Sequence, residues 1–229
     1  MNQMINRLRQ IHHFLLSQSV YPIVLSTLLA LGILAGRMYL TRSWVHSHMV
    51  WNLGLAWVPY LCSLWMASIH HRHPRRWWVL APPGVLWLAF FPNAPYLVTD
   101  LWHLWERPPV PLWYDLGLLV TFAWTGCFLA VASLRTVQTQ VKAFLGWAAS
   151  WVFAAGTIGL SGLGIYLGRF LRWNSWDLAL RPRSVVADVL PWLTDPLSHR
   201  QPYGVTVMFA ALLLVCYLMF VSAQHHERT

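Results

Sequence analysis

Charge is scarce in this sequence. Only 10% of its 229 residues are Asp, Glu, Lys or Arg, and just 7 are acidic. A soluble domain carries about 25% charged residues, so this chain cannot clothe a water-facing surface. Cysteine is sparser still. Cys62, Cys127 and Cys216 are odd in number and each lies in an apolar stretch, which excludes a disulfide scaffold and reads as small buried hydrophobes. There is no Gly-rich phosphate loop, zinc-finger spacing or basic aromatic array, so the net charge of +9 does not signal nucleic-acid binding. Its basic residues sit in short loops between apolar segments, as membrane topology requires. No acid, base or histidine lies near the middle of an apolar segment, and no internal repeat is visible. Both absences argue against ion-coupled transport.

What the chain has in quantity is apolar length: 57% of residues are hydrophobic and 15% aromatic. Crossing roughly 30 Å of hydrocarbon takes about 20 helical residues. Six segments meet or approach that length, at about 21–40, 50–69, 79–101, 113–134, 144–167 and 204–223. The predicted fold is therefore all-α: an integral membrane bundle of about six transmembrane helices. Residues 1–20 form an N-terminal tail, 21–223 the spanning domain with a long connection at 168–203, and 224–229 a C-terminal tail. Arg7 and Arg9 precede the first run, but that run is too long for a signal peptide. Six spans place both termini on one side. Basic residues divide evenly between the two sides, and the cluster Arg72, Arg75, Arg76 turns the expectation towards cytoplasmic termini.

Acids do not divide evenly. Asp100, Glu106, Asp115, Asp177, Asp188 and Asp195 all fall on the side opposite the termini, leaving Glu227 alone on the other. Trp44, Trp51, Trp102, Trp105, Trp113, Trp173, Trp176 and Trp192 collect at the same boundary. An interfacial aromatic belt explains the tryptophans, but it does not explain the acids.

The third span is predicted to break. Pro82 and Pro83 suit a first helical turn, whereas Pro92 and Pro95 fall near the far end, where each removes a donor and clashes with the preceding turn. Unwound backbone at membrane depth needs protein or a watery cavity to satisfy it, and Asn93 and Tyr96 are placed to do so or to face a ligand. Asp100 and His103 follow three residues apart, on one face if the helix resumes. A carboxylate beside an imidazole suits acid–base work, and it equally suits a surface ion pair. Metal ligation would need further ligands, for which Tyr114 and Asp115 are the candidates only if folded inward, so no metal site is expected.

The run FPNAPYLVTDLWHL at 91–104, Trp51-Asn52, Pro59-Tyr60 and PLWYD at 111–115 together resemble a family of bacterial multi-pass membrane proteins, the domain of unknown function 1361 family. The resemblance covers about 50 to 220. It implies a multi-pass protein of the bacterial cytoplasmic (inner) membrane and supplies no mechanism or cofactor.

Arg169 and Arg172 lie one turn apart at the end of the fifth span. They can clamp an anionic headgroup, pair with Asp100 or Asp115, or snorkel. Gly159-Leu160-Ser161-Gly162 matches the short pattern of rhomboid-type serine proteases, but the last span carries no histidine to serve as base. Gly156, Gly159, Gly162 and Gly164 suit close helix packing instead. His70, His71 and His73 sit among arginines, as in a headgroup-facing loop. Residues from Ser184 read as an interfacial helix capped by that serine, either a lid or a loose connector.

Two functions remain. The first is binding of a membrane lipid or a partner protein at the Trp-rich polar face, through Asn52, Asn93, Tyr96, Tyr114, Arg169 and Arg172. The second is a membrane-embedded enzyme acting on a lipid or lipid-linked substrate, with Asp100 or Asp115 as base and His103 as acid.

Overall fold

Apolar runs of this length leave helix as the only economical way to satisfy the backbone, and the computed structural model has no strand among its described residues, 2–72, 76–195 and 198–226. His73, Arg75 and Glu227, named above, lie outside the described residues. The N-terminal tail is itself helical (α1, Asn2–Ser17). Ser19, in the left-handed region at φ 59°, turns the chain into α2 (Val20–Thr41). Next comes α3 (His48–Arg72).

The third apolar segment is in pieces. After a 3-10 turn at Trp77–Leu80, α4 (Ala81–Phe90) opens with prolines in its first turn, and Pro92 then separates it from the four-residue α5 (Asn93–Tyr96). A 3-10 stretch, Leu97–His103, completes the segment. The break has the expected cause, since the prolines at 92 and 95 each withhold a donor that a continuous helix would need. Asn93 repairs part of the damage by donating from Nδ2 to the Phe90 carbonyl at 3.0 Å.

The fourth and fifth segments form one helical stretch, α6 (Leu112–Phe170), interrupted at Gly146 with φ 87° and ψ 178°. A straight helix of that length would run about 90 Å. Instead it folds back at Gly146, and Gln138 Nε2 donates across the bend to the Ser150 carbonyl at 3.4 Å. Asp115 and Arg169, at its two ends, therefore lie at the same end of the bundle. Beyond α6 come α7 (Asp177–Leu180), α8 (Pro182–Thr194) and α9 (Arg200–His226). Pro182 starts α8 two residues before the expected cap, so Ser184 lies inside the helix, because proline's fixed φ suits a first turn.

Four of these helices are long and apolar enough to cross a membrane: 20–41, 48–71, 112–170 and 200–224. The chain is a helical membrane bundle organised around α6, against which α2, α3, α5 and α9 all pack. Its interior is aromatic. Trp87 stacks at 5.8 Å on Phe153 and sits 4.8 Å from Phe91, and Tyr60, Phe122 and Tyr217 are fully buried. Outward-facing Leu25, Leu28, Val152 and Val207 stay exposed, as lipid-facing side chains should. Glycines set the closest approaches. A Cβ on Gly126 would lie 2.3 Å from the Ala94 carbonyl oxygen, and one on Gly162 would lie 2.3 Å from that of Thr206. Gly162 thereby takes the helix-packing role expected of it, as does Gly164 against Pro92, whereas Gly156 and Gly159, where a Cβ would meet nothing within 4 Å, do not.

Candidate functional site

Polar groups from five elements meet at the end of the bundle holding Asp115 and Arg169, and they sort into two ionic groups. In the first, Arg37 from the last turns of α2 forks onto Asp115. Its Nε donates to Oδ1 at 2.5 Å and its Nη2 to Oδ2 at 3.0 Å. Both side chains are almost fully buried, at 3% and 2% exposure. Tyr114 beside it donates to the Ile33 carbonyl at 2.8 Å, fixing α6 to α2. Asp115 and Tyr114 thus hold helices together.

The second group is built on the broken segment. Asp100, also buried, accepts from Asn52 Nδ2 at 3.2 Å and lies 3.8 Å from Arg169 Nη1. Arg169 Nη2 donates to His103 Nδ1 at 2.9 Å. That bond requires an unprotonated Nδ1, because a guanidinium can only donate. Glycine packing brings these partners together. A Cβ on Gly164 would strike Pro92 Cγ at 2.6 Å, and one on Gly168 would approach Tyr96 Cε2 at 3.2 Å. The end of α6 therefore lies directly against the break, with Arg169 facing Asp100.

Histidines connect the two groups. The His48 ring lies 5.5 Å from that of His103 and 6.2 Å from that of His46. His46 is buried with neither ring nitrogen hydrogen-bonded among the described residues. Burial, reinforced by the nearby Arg37 cation, pushes its pKa down to about 4. His46 and His48 were invisible as site residues in the sequence, although a His-x-His pair opening a span on the acid-rich side was the available signal.

Beside the second group lies a cavity of about 300 Å³. Asn52, Asn93 and Tyr96 line it from α3 and α5, and Arg172, Trp173 and Ser175 line it from the segment after α6. Trp51 and Trp176 contribute aromatic walls. Asn93 Nδ2 donates to Ser175 Oγ at 2.7 Å, tying the break to that segment. The connection is docked rather than loose over residues 168–195: Val185 and Trp192 are buried, Trp192 meets Tyr166 edge-on at 5.1 Å, and Trp173 Nε1 donates to Asp188 at 2.8 Å. Trp44, Trp102, Trp105 and Trp113 remain largely exposed, in the manner of an interfacial belt.

The structure thus brings Asn52, Asp100, His103 and Arg169 into one network, with Asn52 also facing the cavity. Asn93, Tyr96 and Arg172 join the cavity, whereas Asp115 and Tyr114 stand apart with α2. Among the described residues, no group of three or more His, Cys, Asp or Glu side chains is arranged to hold a metal ion.

A family profile described as protein of unknown function (DUF1361) matches residues 51–216, which include every residue of the Asp100 network and of the cavity wall. The chain belongs to the DUF1361 family. No curated protein and no solved structure matches it. Family membership covers α3 through most of α9 and leaves α1 and α2 outside, so the Arg37–Asp115 pair joins the matched region to a preceding helix.

Proposed function

We propose that this DUF1361 protein is a multi-pass protein of the bacterial inner membrane that holds an amphiphile with one anionic group, a lipid or lipid-linked molecule, in the cavity beside the broken segment. The observation carrying this reading is the charge of the cavity wall. Among the described residues Arg172 lines it with no hydrogen-bond or ion-pair partner and no acid lines it. Around that cation stand amides, a hydroxyl and tryptophans, a lining that suits a polar headgroup joined to an apolar body. At about 300 Å³ the space is at the small end for ligand pockets, so it takes a headgroup and its first carbons rather than a whole lipid. In this reading α2, α3, the broken segment, the two halves of α6 and α9 make six crossings, with both termini cytoplasmic.

An enzyme acting on the same substrate would take Asp100 as its base. That carboxylate is engaged by Asn52 and Arg169 and does not line the cavity, so its first role is to hold Asn52 and Arg169 in place. The test is native mass spectrometry of gently solubilised protein, wild type beside Arg172→Gln. A stoichiometric amphiphile on the wild type that is lost from the variant supports the reading. Equal retention on both, or a stoichiometric protein partner with no small molecule, rejects it.

A further inference from the structure

The opposite end of the bundle holds a larger recess, about 1010 Å³, formed by α1, the end of α3, the bend of α6 and the end of α9. Its lining includes Arg135, Lys142, His70 and Gln140, with Phe14 and Phe220 as apolar walls and no acidic side chain among the described residues. Two buried polar atoms in it lack partners. Gln140 is only 6% exposed, yet its Nε2 has no acceptor among the described residues, and neither does His70 Nδ1. A buried amide donor without an acceptor is uncommon in a folded protein, and here it lines the same recess as two cations.

We propose that this recess is a second ligand site, for a phosphate-bearing anion. Arg135 and Lys142 supply the charge, while Gln140 Nε2, and His70 when its proton is on Nδ1, turn out from the recess wall to donate to the phosphate oxygens. Arg135 already donates to Gln138 Oε1 at 3.3 Å, and Gln138 in turn accepts from Tyr217, so the guanidinium is held in place beside the recess. Thr136 similarly fastens the rim by donating to Gln18 Oε1 at 2.6 Å. The phosphate can belong to an anionic phospholipid headgroup or to a free anion, and both use the same donors.

Lys142 is the only lysine in the chain, which makes it a site-specific reporter. The experiment measures the rate of acylation of Lys142 by a sulfonated succinimidyl ester on the detergent-solubilised full chain, read by peptide mass. Short-chain phosphatidylglycerol, short-chain phosphatidylcholine and inorganic phosphate are added in turn at constant ionic strength. Protection by phosphatidylglycerol but not phosphatidylcholine is expected. Additional protection by inorganic phosphate identifies a free-anion site, and its absence identifies a lipid headgroup site. Gln140→Leu and Arg135→Gln each remove a hydrogen bond to a charged group, so each should raise the half-protecting concentration about tenfold. Phosphatidylglycerol and phosphatidylcholine protecting equally, no protection by any of the three, or variants that protect as well as wild type would overturn the proposal. Because the readout sits at Lys142, it is independent of the fate of the cavity lined by Arg172.

Discussion

Removing one member of the Arg37–Asp115 pair should be the most damaging single polar substitution in this protein. Asp115→Asn keeps the shape of the side chain and deletes its charge, leaving the Arg37 guanidinium uncompensated at 3% exposure between α2 and α6. Both of the fork's hydrogen bonds, at 2.5 and 3.0 Å, lose their charged acceptor. Breaking a buried pair from one side costs about 3–5 kcal/mol. For a chain of this length each kcal/mol moves the midpoint by about 2–4 °C, so the expected fall is roughly 6–20 °C. Removing both charges together, as Arg37→Met with Asp115→Leu, leaves no orphan and should restore most of that loss. The assay is a thermal melt in detergent followed by intrinsic fluorescence, for which the 16 tryptophans give ample signal. If Asp115→Asn melts within about 2 °C of wild type, or if the double variant falls as far as the single, the pair does not carry the coupling assigned to it.

Three further outcomes are expected. His46 has its pKa depressed to about 4 in the folded state against an ordinary value near 6.5, so the unfolded chain binds the extra proton first. Stability is therefore full above about pH 6.5 and declines as pH falls towards 4; in His46→Gln the melting midpoint should lose less over that window, and an equal loss would refute the assignment. Gly126→Ala should destabilise by about 1–3 kcal/mol through its clash with the Ala94 carbonyl, while Gly156→Ala, with open space around it, should be neutral or slightly stabilising in the same melt. Gly146→Ala forces a Cβ into backbone at φ 87° and ψ 178° and should cost about 1–3 kcal/mol. A melt unchanged from wild type would mean that the bend tolerates an ordinary residue.

Much of the architecture was legible because it depends on local properties of the chain. The length of an apolar run sets whether it can cross a bilayer, and that number is written in residues. The break in the third segment followed from Pro92 and Pro95 alone, since a missing donor disrupts a helix wherever the helix sits. The gathering of Asp100, Asp115 and Arg169 at one end followed from counting segments. Pro182 and Ser184 both suit a helix start, and only the folded chain shows that the proline takes it and leaves Ser184 inside α8.

Pairing was another matter. Asp100 and Asp115 are equivalent in sequence as partners for Arg169, and which one it meets depends on how the end of α6 is rotated and how closely it approaches the break. That rotation is set by contacts between distant glycines and their neighbours: Gly164 on Pro92, Gly168 beside Tyr96, Gly36 under Tyr114. The histidine bridge through His48 and the recess around Gln140 are likewise assembled from elements far apart in the chain. Composition and local breakers determined that this is a helical membrane bundle with one acid-rich end and a broken segment. Only tertiary packing decided that Asp115 locks α2 to α6 while Asp100 faces Arg169, because the azimuth of a helix about its own axis is a property of its neighbours.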